Sequence, residues 1–147
     1  MKLAAARWWV TPFLLLVGAA PALAENWPQW RGPSGNSISS ETKLPTEFGP
    51  SKNLAWKVAL PGMGGSTPII WDQRLFLTAE DGDDMVLLCL DLAGKQLWKT
   101  TIGSGKKSFR KDEGNQASPS PCTDGKHVFA FFGTGDFACC DFEGRIV

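Results

Sequence analysis

Tyrosine is missing altogether from this 147-residue chain, and histidine is present once, as His127. Around His127 there is neither a serine–histidine–aspartate order for nucleophilic catalysis nor the ligand spacing of a metal site. An excess of one charge is also missing, because fifteen basic residues face fifteen acidic ones. That balance excludes a basic surface of the nucleic-acid-binding kind. Long apolar runs are scarce. The longest, Trp8 to Ala20, follows Lys2 and Arg7 and precedes the small-residue stretch Ala22 to Ala24. It is short for a membrane span of about 20 residues. A basic start, an apolar middle and a small-residue cleavage site make residues 1–24 a secretory signal peptide. The next residue is Glu25, not cysteine, so a lipid-anchored exported form is not expected.

Removing 24 of the 147 residues leaves 123, with 13 basic and 15 acidic side chains and a formal charge of −2. No integral span is expected after cleavage. Export implies an oxidising compartment. The four cysteines, Cys89, Cys122, Cys139 and Cys140, all stand in apolar, strand-like runs, and are expected to be buried and unpaired. Glycine and proline break the apolar segments into short pieces, which is an all-β signature.

The segments recur. Ser66 to Ile102 divides into "TPIIW", "RLFLTA", "MVLLCLDL" and "KQLWKTTI", separated by Asp72-Gln73, by the acidic turn Glu80 to Asp84, and by Ala93-Gly94. A second copy runs through "HVFAFF" and "FACCDF", with Gly144 opening a fourth strand. Pro68 and Pro121, like Phe76 and Phe129, stand 53 residues apart, whereas Asp91 and Asp141, like Gly94 and Gly144, stand 50 apart. Asp124-Gly125 predicts a two-residue hairpin turn with positive φ at both residues. Upstream, "LAWKVAL" (Leu54 to Leu60) matches "KQLWKTTI" and puts Trp56 42 residues before Trp98, so it predicts the last strand of an earlier unit. A period of about 42 to 50 residues with four strands per unit suits a β-propeller blade. The runs "MVLLCL" and "VFAFF" are apolar at nearly every position, which calls for cover on both faces of each sheet.

The stretch "LDLAGKQLWK" resembles the repeat of the pyrroloquinoline quinone (PQQ)-like β-propellers, whose blades end in an Asp-x-x-Gly turn followed by a tryptophan. "NWPQWRGPSGNSIS" (Asn26 to Ser39) and "NQASPSP" (Asn115 to Pro121) resemble segments of exported bacterial members. The resemblance implies an all-β, PQQ-like propeller of seven or eight blades when complete. This chain would hold about two four-stranded blades plus one outer strand, as an N-terminal fragment. The expected organisation is a signal peptide at 1–24, an N-terminal extended segment at 25–53, and a partial propeller at 54–147. The blades are expected at 66–102 and 118–147, joined by a loop at 103–117. Trp98 is expected to cover the seam between blades. Asp91 and Asp141 are expected to bond the backbone of their own turns.

No catalytic residue and no metal ligand is expected, and no cofactor-binding residue can be named. Adjacent cysteines joined in a ring support the cofactor in some quinoproteins of this fold, but Cys139 and Cys140 fall inside a strand, where neighbouring side chains point to opposite faces. The acids Glu80, Asp81, Asp83 and Asp84 lack the spacing of a calcium loop and read as an exposed turn. Lys106, Lys107, Phe109, Arg110 and Lys111 lie in the long connecting loop, where binding residues are often found. Trp27, Trp30 and Arg31 read as packing. The function these features imply is a non-catalytic scaffold or binding module of the bacterial envelope, periplasmic or secreted, with a protein or polymer partner. One alternative is part of a PQQ-dependent dehydrogenase, with PQQ and calcium as cofactors under that reading alone. A second is a carbohydrate-binding propeller module.

Overall fold

A computed structural model describes residues 25–105 and 114–147. The expected signal peptide, residues 1–24, and most of the basic loop, residues 106–113, therefore lie outside the described residues. The described residues form seven strands: β1 Ile69–Trp71, β2 Arg74–Asp81, β3 Asp84–Asp91, β4 Gln96–Ser104, β5 Cys122–Thr123, β6 His127–Phe131 and β7 Phe137–Asp141. They form two antiparallel meanders, a four-stranded sheet β1-β2-β3-β4 and a three-stranded sheet β5-β6-β7. The described chain is all-β, and its sheets do not close on themselves.

The first sheet is covered on both faces, which explains its unbroken apolar strands. Phe76 pairs with Cys89, and Leu77 with Leu88, so alternate pairs serve opposite faces. Phe76, Met85, Leu87 and Cys89 pack against Val128, Ala130, Phe132, Ala138 and Cys140 of the second sheet. On the other face Leu77, Ala79, Val86, Leu88 and Leu90 form a separate buried cluster, with Leu60 packed on it. The second sheet differs. Its strand β6 alternates, with Val128 and Ala130 buried and Phe131 50 % exposed. Phe131 stands opposite Phe137, itself 62 % exposed, on the face turned away from the first sheet. Apolar sequence predicted cover on both faces there, and among the described residues only one face receives it.

Three further expectations are corrected. Leu54–Leu60 is not a strand, since among the described residues no backbone pairs with it. Asp124 does not take positive φ; Gly125 alone does, at 87°. The turn is made instead by the Asp124 carboxylate, whose Oδ1 accepts the N–H of Lys126 at 2.8 Å and of His127 at 2.6 Å. Beyond Gly144, the expected fourth strand is a single bridge between Cys140 and Ile146, with Val147 N donating to Cys139 O at 2.8 Å.

The Asp-x-x-Gly turns follow the expectation closely. Asp91 Oδ1 accepts from Ala93 N at 2.9 Å and Lys95 N at 2.8 Å. Asp141 Oδ1 accepts from Glu143 N at 3.0 Å and Arg145 N at 2.9 Å. Each turn carries a tryptophan from elsewhere. Trp56 Nε1 donates to Leu92 O at 2.8 Å, and a Cβ on Gly94 would stand 2.8 Å from the Trp56 ring. Trp98 Nε1 donates to Phe142 O, also at 2.8 Å, and a Cβ on Gly144 would stand 2.8 Å from the Trp98 ring. Glycine is required twice over at both positions, by the ring lying on it and by a φ of 83° or 84°. Although Leu54–Leu60 forms no ladder, its tryptophan therefore occupies the same place on its turn as Trp98 does on the next.

Candidate functional site

The segment after Asn26 bonds to the first strands of both sheets. Trp27 exchanges two backbone hydrogen bonds with Ile70 of β1, at 2.8 and 3.0 Å. The next carbonyl, Pro28 O, accepts from Thr123 N of β5 at 2.9 Å. Two consecutive residues thus tie the first strand of one sheet to the first strand of the other. The chain then turns sharply. Gly32 N donates to Gln29 O at 2.9 Å, and Gly32 lies against the Trp27 ring. Arg31 is held at a φ of 73°, which non-glycine residues adopt uncommonly. Its Nε donates to Ser37 Oγ at 3.3 Å, and its guanidinium carbon lies 5.8 Å from the centre of the Trp30 ring.

That turn leaves Trp30 65 % exposed at the edge of a cleft. The cleft has a volume of about 370 Å³ and is lined by Trp30, Gly65, Thr67, Ser118, Pro119 and Ser120. The last five come from the two stretches that lead into β1 and β5. Gly65 and Ser118, and likewise Thr67 and Ser120, stand 53 residues apart, the same offset as Phe76 and Phe129. Each sheet therefore contributes corresponding positions to one opening. Thr67 N donates to Ser120 Oγ at 2.8 Å, joining the two walls directly. Ser118 Oγ is fixed by Asn115, donating to its carbonyl at 2.8 Å and accepting from its N–H at 3.1 Å. Behind the cleft, Thr78 Oγ1 lies 3.0 Å from both Ala117 O and Pro119 O, and Glu80 Oε1 accepts from Gln116 N at 3.1 Å. Buried polar groups on β2 thereby hold the 116–119 stretch by its backbone. A second, shallower hollow lies along Lys43–Pro45 and Asn53–Ala55, but no strand lines it.

Residues singled out in the sequence fall elsewhere. Cys140 is buried between the sheets, while Cys139 projects from the opposite face of β7. The two thiols are not joined to each other. Cys89 is buried as expected, and burial pushes its thiol up to about 12. Cys122 is exposed, contrary to expectation, because β5 is a two-residue strand with its first side chain outward. Glu80 is not part of an exposed turn but is buried, and only Asp81 to Asp84 form the turn. His127 is half-buried at the start of β6, its Nδ1 3.2 Å from Asp124 Oδ2. Among the described residues no three His, Cys, Asp or Glu side chains converge to hold a metal ion. No described helix is long and apolar enough to cross a membrane.

Sequence reasoning treated Trp30 as packing and passed over Thr67, Ser118 and Ser120. The available signal was the 53-residue offset, which equates "STP" at Ser66 to Pro68 with "PSP" at Pro119 to Pro121. Comparison with protein-family models, curated proteins and solved structures finds no match to this chain.

Proposed function

We infer that the chain is an exported, non-catalytic binding module of the bacterial envelope, built from β-propeller blades of the PQQ-like kind. One observation carries the reading: a cleft at the seam of the two sheets, to which each contributes corresponding positions, beside an exposed tryptophan. Such a seam is a place where ligands collect, because concave surface forms where elements meet. The blade reading draws on the two tryptophan-on-glycine contacts, which are alike to a tenth of an ångström in their indole hydrogen bonds. Export draws on residues 1–24.

The test is expression of the whole chain in a Gram-negative host. Mass spectrometry of the periplasmic fraction should find a species beginning at Glu25. That species should sediment with purified cell envelopes, and Trp30→Ala should release it. Retention of Trp8 and Trp9 in the mature species would overturn export. Oxidation of alcohols or sugars that depends on added PQQ and calcium would overturn the non-catalytic reading in favour of a quinoprotein dehydrogenase.

A further inference from the structure

Among the described residues, six line the seam cleft, and none of them carries an ionisable side chain. A charged ligand would lose hydration there without gaining an opposite charge from these six side chains. What the lining offers is of two kinds. The indole of Trp30 is a broad apolar face, electron-rich at its centre, and it attracts C–H groups that carry slight positive charge. Thr67 and Ser120 offer hydroxyls, each able to donate once and accept twice. Ser120 Oγ already accepts from Thr67 N, so its own proton is left to give outward. Pro119 adds a second apolar ring between the two serines.

A ligand that presents a face of C–H groups and a rim of hydroxyls meets both demands at once. A sugar ring has that construction. The volume of about 370 Å³ falls within the range of about 300–1,000 Å³ usual for small-molecule sites. Arg31 lies against the Trp30 ring and is anchored to Ser37, which steadies the indole without putting a guanidinium among the lining residues.

We propose that this cleft binds one uncharged sugar unit of a glycan, with Trp30 stacked on the ring and Thr67 and Ser120 bonded to its hydroxyl rim. The proposal rests on the binding-module reading and names the ligand class of that same cleft. The mature chain, residues 25–147, is titrated with maltohexaose, cellohexaose, xylohexaose and laminarihexaose, and with an oligogalacturonate as the anionic comparison. Calorimetry and tryptophan fluorescence follow binding.

At least one neutral oligosaccharide should bind saturably, with little dependence on salt. Trp30→Ala should weaken it about tenfold, the equivalent of one lost ring contact. Trp30→Phe should fall between, and Ser120→Ala, which alters no ring, should also weaken binding. Lys43→Ala, away from the cleft, should leave it unchanged. The melting temperature of Trp30→Ala should match the wild type, since the ring is mostly exposed. Failure of every neutral oligosaccharide to bind, binding of the anionic one alone, or binding undiminished in both Trp30→Ala and Ser120→Ala would overturn the proposal. Envelope retention that persists without oligosaccharide binding overturns this proposal alone; loss of both overturns the binding-module reading as well.

Discussion

At the scale of single residues, aspartates shape the turns. Asp124 and Asp141 each accept backbone N–H groups that a tight turn would leave unpaired. Those hydrogen bonds favour the charged carboxylate. Asp124 is lowered from 3.8 to about 2, first by the backbone N–H of His127, then by that of Lys126. Asp141 is lowered too, chiefly by the backbone N–H of Arg145. A carboxylate whose folded value lies below its unfolded one stabilises the fold above the unfolded value. That contribution is lost as the pH falls through the folded value. For Asp124 the window runs from 3.8 down to about 2. Thermal unfolding measured from about pH 5 to about pH 2 should show a falling melting temperature. Asp124→Asn keeps the acceptor oxygen but cannot titrate, so its melting temperature should fall less over the same interval. An equal fall in both proteins would remove Asp124 from the acid response.

At the scale of elements, the seam depends on a ring meeting a bare backbone. Trp98 lies 5.9 Å, centre to centre, from Phe76, which in turn lies 5.2 Å from Phe142, so the contact extends from β4 through β2 to the turn after β7. Arg74 also donates to Phe142 O, and its guanidinium carbon lies 5.7 Å from the centre of the Phe142 ring. Trp98→Ala should cost about 3 kcal/mol, at the lower end for a core tryptophan, because the ring is only half-buried. Gly144→Ala should cost about 1–3 kcal/mol from the left-handed backbone, plus the clash of its Cβ with the ring. The clash disappears once the ring is gone. The double variant should therefore be more stable than the sum of the single losses by about 1 kcal/mol. Chemical denaturation of the four proteins measures this coupling. Strict additivity would mean that the ring does not bear on Gly144.

At the scale of the whole molecule, the two sheets are unequal. The first is covered on both sides and holds most of the buried apolar residues, while the second presents Phe131 and Phe137 outward. Two large rings opposite each other on an open sheet face favour association with other apolar surface. Residues 25–147 should scatter light increasingly with concentration. Phe131→Lys combined with Phe137→Lys should suppress that scattering without lowering the melting temperature, since neither ring contributes to the core between the sheets. Undiminished scattering in the double variant would place the association elsewhere.

The strands of the first sheet and the chemistry of the Asp-x-x-Gly turns could be read from short-range pattern, because each depends on residues a few positions apart. "RLFLTA" and "MVLLCLDL" became β2 and β3 nearly as outlined, and the bonding of Asp91 and Asp141 needs only the next four residues. Even the Trp98 seam was legible, since the Asp-x-x-Gly turn recurs at Asp91 and Asp141. Burial was less so. "VFAFF" is as apolar as "MVLLCL", yet which face receives cover depends on what packs there, and no local pattern encodes that. Cys122 stands outward for the same reason. The cleft was the least visible feature. Its walls are separated by some fifty residues and its aromatic edge comes from a third segment near Asn26. Two serines, one threonine and one tryptophan carry no signal of their own. They share one opening because Trp27 and Pro28 bond β1 and β5, and Thr67 bonds Ser120, so that the two corresponding stretches lie side by side.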